Sequence, residues 1–126
     1  MKKLIASIII LLIFISISIC VQKKIQESAY DIVNDINLLY EKINNEQWKQ
    51  ADKDLIQLEN KWEGVSEKWA VLVEHEEIDQ ITVSFLKSKI FTLNREKEEA
   101  LAELREFEFM IDHIPKINKV ELKNIF

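Results

Sequence analysis

An uninterrupted apolar segment, Leu4 to Val21, constrains the fold of this chain more than any other feature of its sequence. The segment contains no charged residue, and as an α-helix it would span about 27 Å, close to the thickness of the hydrocarbon core of a bilayer. We therefore predict a transmembrane anchor at residues 1–21. The remaining residues, 22–126, are enough for one aqueous domain with a modest core.

Two other interpretations of this segment stay open. Lys2 and Lys3, together with the small-x-small string Ser16-Ile17-Ser18, are also features of a cleaved signal peptide. Cys20 resembles the acylated cysteine of bacterial lipoproteins, although an isoleucine precedes it where those signals carry a small residue. The length of the apolar run favours an anchor over a cleaved signal.

The lysines on either side of the anchor bear on its orientation. Lys2 and Lys3 precede it and Lys23 and Lys24 follow it, so the positive-inside rule is nearly balanced. The start Met-Lys-Lys before an apolar run favours export. We expect a single-pass signal-anchor protein of the cell membrane whose aqueous domain lies outside the cytoplasm.

Composition and periodicity indicate that the aqueous part is helical. The chain has one glycine and one proline, the residues on which tight turns and hairpins depend. From Ile25 to Ile43 the apolar residues recur at the spacing of an amphipathic helix, and no breaker separates Val21 from Ile25. We predict an all-α fold in which the transmembrane helix continues into an up-and-down antiparallel helical bundle.

A few residues predict where these helices end. Asn44 precedes Gln47 at the spacing of a capping box, Gly64 before a serine indicates a second break, and Asn94 indicates a third. Pro115 should stop or kink the last helix because it cannot donate an amide hydrogen bond. The predicted helices are about 22–43, 46–63, 66–93 and 95–114, followed by a tail.

The second predicted helix carries a heptad-like apolar stripe. Its members are seven residues apart and are Trp48, Leu55, Trp62 and Trp69. Such a stripe is typical of a core or an interaction seam between helices. If the bundle returns Trp62 and Trp69 to the membrane surface, an aromatic belt is the alternative, but the heptad spacing favours the core.

Charge and composition disfavour several functions. Apart from Lys2 and Lys3, the chain has 15 basic side chains and 22 carboxylates. This negative balance makes nucleic acid an unsuitable partner. A single cysteine supports neither a disulfide within the chain nor a multi-cysteine zinc site. With one glycine, no glycine-rich catalytic or phosphate-binding loop can form. We predict a protein that is not an enzyme and has no cofactor.

One string still suggests chemistry. His75-Glu76-Glu77-Ile78-Asp79 has half of a zinc-protease motif, with Asp79 where the second histidine belongs. His75 and His113 each lie 19 residues from Asn94, so a hairpin at that residue would bring them to one level. His75, Asp79 and His113 are therefore candidates for a metal or proton-sensitive site. The simpler interpretation is a solvated surface layer.

Four features together resemble a bacterial family named domain of unknown function 4363. They are the anchor behind Lys2 and Lys3, the tryptophan-marked second helix, His75-Glu-Glu-Ile-Asp-Gln-Ile81 and the ending Leu122-Lys-Asn-Ile-Phe126. The resemblance covers nearly the whole chain. It implies a short single-pass protein of low-GC Gram-positive bacteria, often encoded beside a multi-pass membrane protein, with no catalytic residues to carry over.

From these features we expect a membrane-tethered helical interaction or scaffold protein. Its expected partners are the lipid bilayer and either a multi-pass membrane protein or other copies of the chain. The alternative is a metal-binding or pH-sensing helical domain that uses His75 and His113.

Overall fold

The computed structural model describes residues 1–125 of the chain, with side chains as far as Ile117. These residues form four helices, α1 (Lys2–Asn44), α2 (Trp48–Trp69), α3 (His75–Leu93) and α4 (Lys97–Ile125). The prediction of an all-α fold, with a long apolar N-terminal helix leading into a helical bundle, is confirmed.

The apolar segment and the first bundle helix are one continuous helix, α1. Its second half buries a residue at every third or fourth position, as an amphipathic helix does on its core side. The buried residues are Ile25, Ala29, Ile32, Ile36, Leu39 and Ile43. No helix-breaking residue precedes this amphipathic stretch, so the helix of the apolar segment continues directly into the bundle.

The four helices are arranged up and down around one core. α1 packs on α2 and α4, and α3 packs on the same two helices, so α1 and α3 lie diagonally opposite. Contacts between early and late residues of neighbouring helices show that they are antiparallel, as with Asp35 of α1 and Lys61 of α2. The α2–α3 connection and the later part of α4 therefore lie at the end of the bundle nearest the apolar segment.

Two matching turns close the opposite end of the bundle. At the end of α1 the amide of Glu46 donates to the carbonyl of Ile43, and that of Gln47 donates to Lys42. The end of α3 repeats this pattern of two hydrogen bonds, with Arg95 in the place of Glu46. Both are Schellman turns. Glu46 and Arg95 adopt positive φ angles of 57° and 61°, which glycine usually supplies.

The predicted break at Gly64 is wrong. α2 continues through Gly64 to Trp69, and Gly64 lies on the exposed face, where an added Cβ would meet no neighbouring atom within 4 Å. A glycine inside a helix costs about 1 kcal/mol, and burying Trp69 in the core outweighs that cost. Ser66 is no N-cap, because its hydroxyl donates back to the carbonyl of Glu63. The third helix accordingly begins at His75 rather than at residue 66.

The predicted stop at Pro115 is also wrong. α4 runs on through the proline to Ile125, so residues 116–125 are helical rather than a tail, and Phe126 lies outside the described residues. Proline removes one helical hydrogen bond, but Ile111, Ile114 and Pro115 are all buried. In addition, the side-chain amide of Gln22 donates to the carbonyl of Pro115 over 2.9 Å. Packing on α1 thus accompanies the continuation of α4 through this position.

Candidate functional site

The tryptophan stripe of α2 lies in the centre of the bundle. Leu55, Trp62 and Trp69 are buried, and Trp48 at the start of the helix is half-buried. The ring of Trp62 meets Trp69 edge-on at 5.7 Å and Phe107 of α4 at 5.9 Å, a geometry that aromatic pairs prefer. Three of these four side chains are therefore used by the fold itself, and Trp62 and Trp69 do not form an exposed belt.

The one polar atom of Trp62 is satisfied within the bundle. Its indole Nε1 donates to the hydroxyl of Thr82 on α3 over 3.0 Å, and that hydroxyl donates to the carbonyl of Ile78. A buried indole N–H without a partner would cost free energy, so this relay fixes the ring against α3. The arrangement specifies how α2 and α3 pack.

The histidines are at the surface. His75 is the first residue of α3 and is exposed, as is Asp79 one turn later. His113 on α4 is exposed and stacks on the ring of Phe109 at 5.8 Å. Among the described residues, no three side chains of histidine, cysteine, aspartate or glutamate come together in a group that could hold a metal ion. The geometry gives the metal hypothesis no support.

An acidic groove runs between α3 and α4, with a volume of about 640 Å³. Carboxylates of Glu76, Asp79 and Glu106 line it around Val83 and Met110. Acidic residues on exposed helix faces need no ligand, because water solvates them.

Glu103, beside Glu106, is an acid whose pKa is raised by its surroundings. One of its carboxylate oxygens is buried without a hydrogen-bond partner. Removal from water raises the pKa of this carboxyl, and the neighbouring Glu106 raises it further. Glu103 is therefore a mildly destabilising group in its ionised form.

Arginine side chains tie the helices at the end of the bundle away from the apolar segment. Arg95 donates to both carboxylate oxygens of Asp52 over 2.7 and 2.8 Å and lies 5.2 Å from the ring centre of Trp48. These hydrogen bonds lower the pKa of Asp52. Arg105 lies over the ring of Tyr40 at 3.8 Å. Planar guanidinium groups suit both kinds of contact, and here they join α3 to α2 and α4 to α1.

The outer face of α3 carries an apolar stripe that sequence reasoning missed. Its four members are between 43% and 56% exposed and are Val83, Leu86, Ile90 and Leu93. The 3-4-3 spacing of the four residues was the signal that could have revealed a second, separate stripe.

The inner face of α3 combines the apolar side chains of Ile78, Ile81 and Phe85 with three small hydroxyl residues. Ser84, Ser88 and Thr92 are buried there, and their hydroxyls donate to backbone carbonyls of Glu103, Phe85 and Ser88 respectively. These small side chains satisfy their own hydrogen bonds and fill part of the core. Beyond Phe85, α3 therefore keeps small hydroxyl residues on its core side, while Leu86, Ile90 and Leu93 lie outside.

The N-terminal half of α1 is the largest apolar surface of the described residues. It contains an 18-residue window of mean hydropathy 3.1, none of which is buried by the rest of the protein. By length and composition it can cross a membrane, and a signal sequence would meet the same test. A core helix of a soluble protein would instead be mostly covered.

Sequence comparison places the chain in a known family. The sequence model of the domain of unknown function DUF4363 matches residues 19–125. The chain belongs to the DUF4363 family. The match covers all of the bundle but only the last residues of the apolar segment, so DUF4363 membership is a statement about the helical domain. No curated protein and no solved structure matches the chain significantly.

Proposed function

We propose that this DUF4363 protein is a membrane-tethered helical interaction or scaffold protein, with its bundle outside the cytoplasm and with a membrane protein as partner. One observation carries the proposal. A single helix, α1, has an apolar half that nothing in the described chain buries and a second half that forms one wall of the bundle. Such a helix couples the bundle directly to a lipid phase.

The role as an interaction protein, without enzymatic activity, is supported by how the polar side chains are used. Pairs such as Lys61 with Asp35 and Lys89 with Glu59 link neighbouring helices, as does Arg95 with Asp52. These groups stabilise the arrangement of the helices rather than converging on one cleft. The outer surface of the bundle is therefore the part of the protein to which we assign the proposed interaction.

The tether is tested by alkaline carbonate extraction of membranes from cells that express the full chain. We expect the protein to stay in the membrane pellet and to keep its N-terminal segment, as read by intact mass. Protease added to intact spheroplasts should digest the bundle. Release into the supernatant, or a mature protein that lacks residues 1–21, would contradict the tether.

The interaction role is tested by affinity purification from mild detergent with a matched control. The control chain carries an unrelated transmembrane helix in place of residues 1–21, and a second control carries the natural anchor without the bundle. We expect the same membrane protein with the full chain and the exchanged anchor, and not with the anchor alone. If the anchor alone recovers that protein, the bundle is not the interacting part.

A further inference from the structure

We infer that the outer face of α3 is the seam of a parallel dimer between two copies of this chain. The inference rests on the proposed tether, because both copies must enter from the same membrane. The seam is the apolar stripe of Val83, Leu86, Ile90 and Leu93. It lies on the helix diagonally opposite α1, so the anchor helix does not obstruct it.

The first argument is that the bundle does not use this stripe. Each member is about half exposed, while hydroxyl residues such as Ser88 and Thr92 occupy the core side of the same helix. The large core residues of α3, Ile78, Ile81 and Phe85, belong to a separate stripe, so no member of the outer stripe is needed to cover the core. The four residues recur at the spacing of one helix face, so they form a single line of half-exposed aliphatic side chains.

The second argument identifies the occupant. In heptad notation Val83 and Ile90 take the a positions, and Leu86 and Leu93 take the d positions. β-Branched residues at a with leucine at d favour parallel two-stranded packing. In a symmetric pair of this kind each residue meets its own counterpart, so the seam is complementary to a second copy of itself.

The third argument concerns the charges that flank the seam. In a parallel pair each g position faces the e position five residues later on the partner helix. Thr82 would therefore face Lys87, and Lys89 would face Asn94, so neither pair opposes like charges. Lys89 is in addition already paired with Glu59 of its own chain, over 2.6 Å. The register that aligns the four aliphatic residues is free of lysine–lysine repulsion.

The small size of the seam explains why the tether matters. Four half-exposed aliphatic side chains offer on the order of 300 Å² per copy, against the roughly 800 Å² per partner of a stable complex in solution. Two copies anchored in one membrane share orientation and height and meet at a raised effective concentration. We therefore expect a dimer of the full chain in membranes.

Site-directed cross-linking of the full chain in native membranes tests the seam. In a Cys20→Ser background, Leu86→Cys and Ile90→Cys are each treated with a short bis-maleimide. The matched control is Leu38→Cys on α1, since Leu38 is also 50% exposed but lies on the diagonally opposite helix. We expect dimers to form at least about tenfold faster at both α3 positions than at the control.

Two further measurements make the outcome decisive. Adding Ile90→Asp to the Leu86→Cys chain should abolish the fast cross-link, while adding Leu38→Asp should not, and thermal melting should show that both variants stay folded. Equal cross-linking rates at all three cysteines would overturn the seam. Faster cross-linking between Val83→Cys and Leu93→Cys chains than between two Leu86→Cys chains would indicate an antiparallel pair and would overturn the parallel arrangement. Carbonate extraction of the same samples reports separately on the tether.

Discussion

Residues 4–21 and residues 22–44 belong to the same unbroken helix but are built for different surroundings. In the first stretch most of the large side chains are exposed, as with Leu4 at 64% and Phe14 at 56%, and only Ile15 and Val21 are partly covered among them. In the second stretch one stripe is buried and the opposite face is polar. Backbone hydrogen bonding is the same in both, so the side chains alone distinguish the uncovered apolar half from the half that forms part of the bundle core.

The largest expected effect is a loss of stability when a buried isoleucine in the bundle half of α1 is replaced by alanine, with an isoleucine of the apolar half as the control. Ile36→Ala, at a site with 0% exposure, should lower the free energy of unfolding of the bundle by about 2–5 kcal/mol, because it leaves a cavity. Ile9→Ala should leave that quantity unchanged. Urea unfolding of the full chain in detergent, monitored by tryptophan fluorescence, measures the free energy of unfolding of both variants. Comparable losses for the two variants would mean that the apolar half is part of the folded core.

A lysine introduced into each half of α1 should change membrane retention only when it lies in the apolar half. Ile10→Lys places an ammonium group in the apolar stretch at a cost of about 2.5–3.5 kcal/mol for membrane insertion, so the carbonate-resistant fraction should fall. Tyr30→Lys, at an exposed position of the bundle half, should leave that fraction unchanged. The melting temperature of the bundle should be the same in both. Unchanged membrane retention of the Ile10→Lys chain would argue against a span at this position.

A smaller effect is expected where the bundle half of α1 pairs with α2. The Lys61 ammonium lies 2.5 Å from Asp35 and 3.1 Å from Asp31, and the hydrogen bond to Asp35 is the main cause of its raised pKa, with Asp31 adding to it. Lys61→Met should cost about 0.5–1 kcal/mol at neutral pH.

The pH dependence of this pair has a defined sign. A lysine whose pKa is raised by folding contributes stability below its ordinary value of 10.5, and that contribution is lost as the pH rises through the folded pKa. The melting difference between the natural chain and Lys61→Met should therefore be full at pH 7 and shrink above pH 10.5. Lys49→Met, on the same helix but exposed, is the control. A difference that stays constant across this range would show that packing, and not charge, is responsible.

The smallest expected effect lies at the turn that ends α1. Glu46 adopts a positive φ angle that costs a residue with a side chain about 1 kcal/mol relative to glycine. Glu46→Gly should therefore raise the free energy of unfolding by a few tenths to about 1 kcal/mol. The equivalent Arg95→Gly should fail to stabilise, because it also removes the contacts with Asp52 and Trp48. Calorimetry of the two variants compares the turns directly.

The sequence predicted the parts of the fold in which local pattern and packing agree. The continuity of α1 followed from the absence of a breaker before Ile25, and α1 and α3 end beside Asn44 and Asn94 as predicted. The predicted capping box from Asn44 to Gln47 is wrong, because α2 begins at Trp48 and its N-cap, Gln47, makes no side-chain hydrogen bond. The predictions at Gly64 and Pro115 failed because each residue costs the helix less free energy than is gained by burying the core residues on either side of it. A helix in a bundle tolerates such a residue when its neighbours on the buried stripe keep their contacts.

The surface sites were harder to predict for a different reason. α3 contains two stripes with helical spacing, one through Ile78, Ile81 and Phe85 and the other through Leu86 and Ile90. Periodicity cannot tell which of two stripes faces the core, since that depends on the neighbouring helices. The same limit applies to His75, because equal distance from a turn does not determine the direction of a side chain.

The packing of α1 against α4 has a consequence for the order in which the molecule assembles. Gln22 reaches the carbonyl of Pro115, 93 residues later in the chain, and α1 packs more extensively on α4 than on α2. During synthesis the first helix therefore waits for the last one to emerge before its core side is covered. In the proposed tethered state, the anchor would hold an open wall of isoleucines at the membrane surface until α4 has been made.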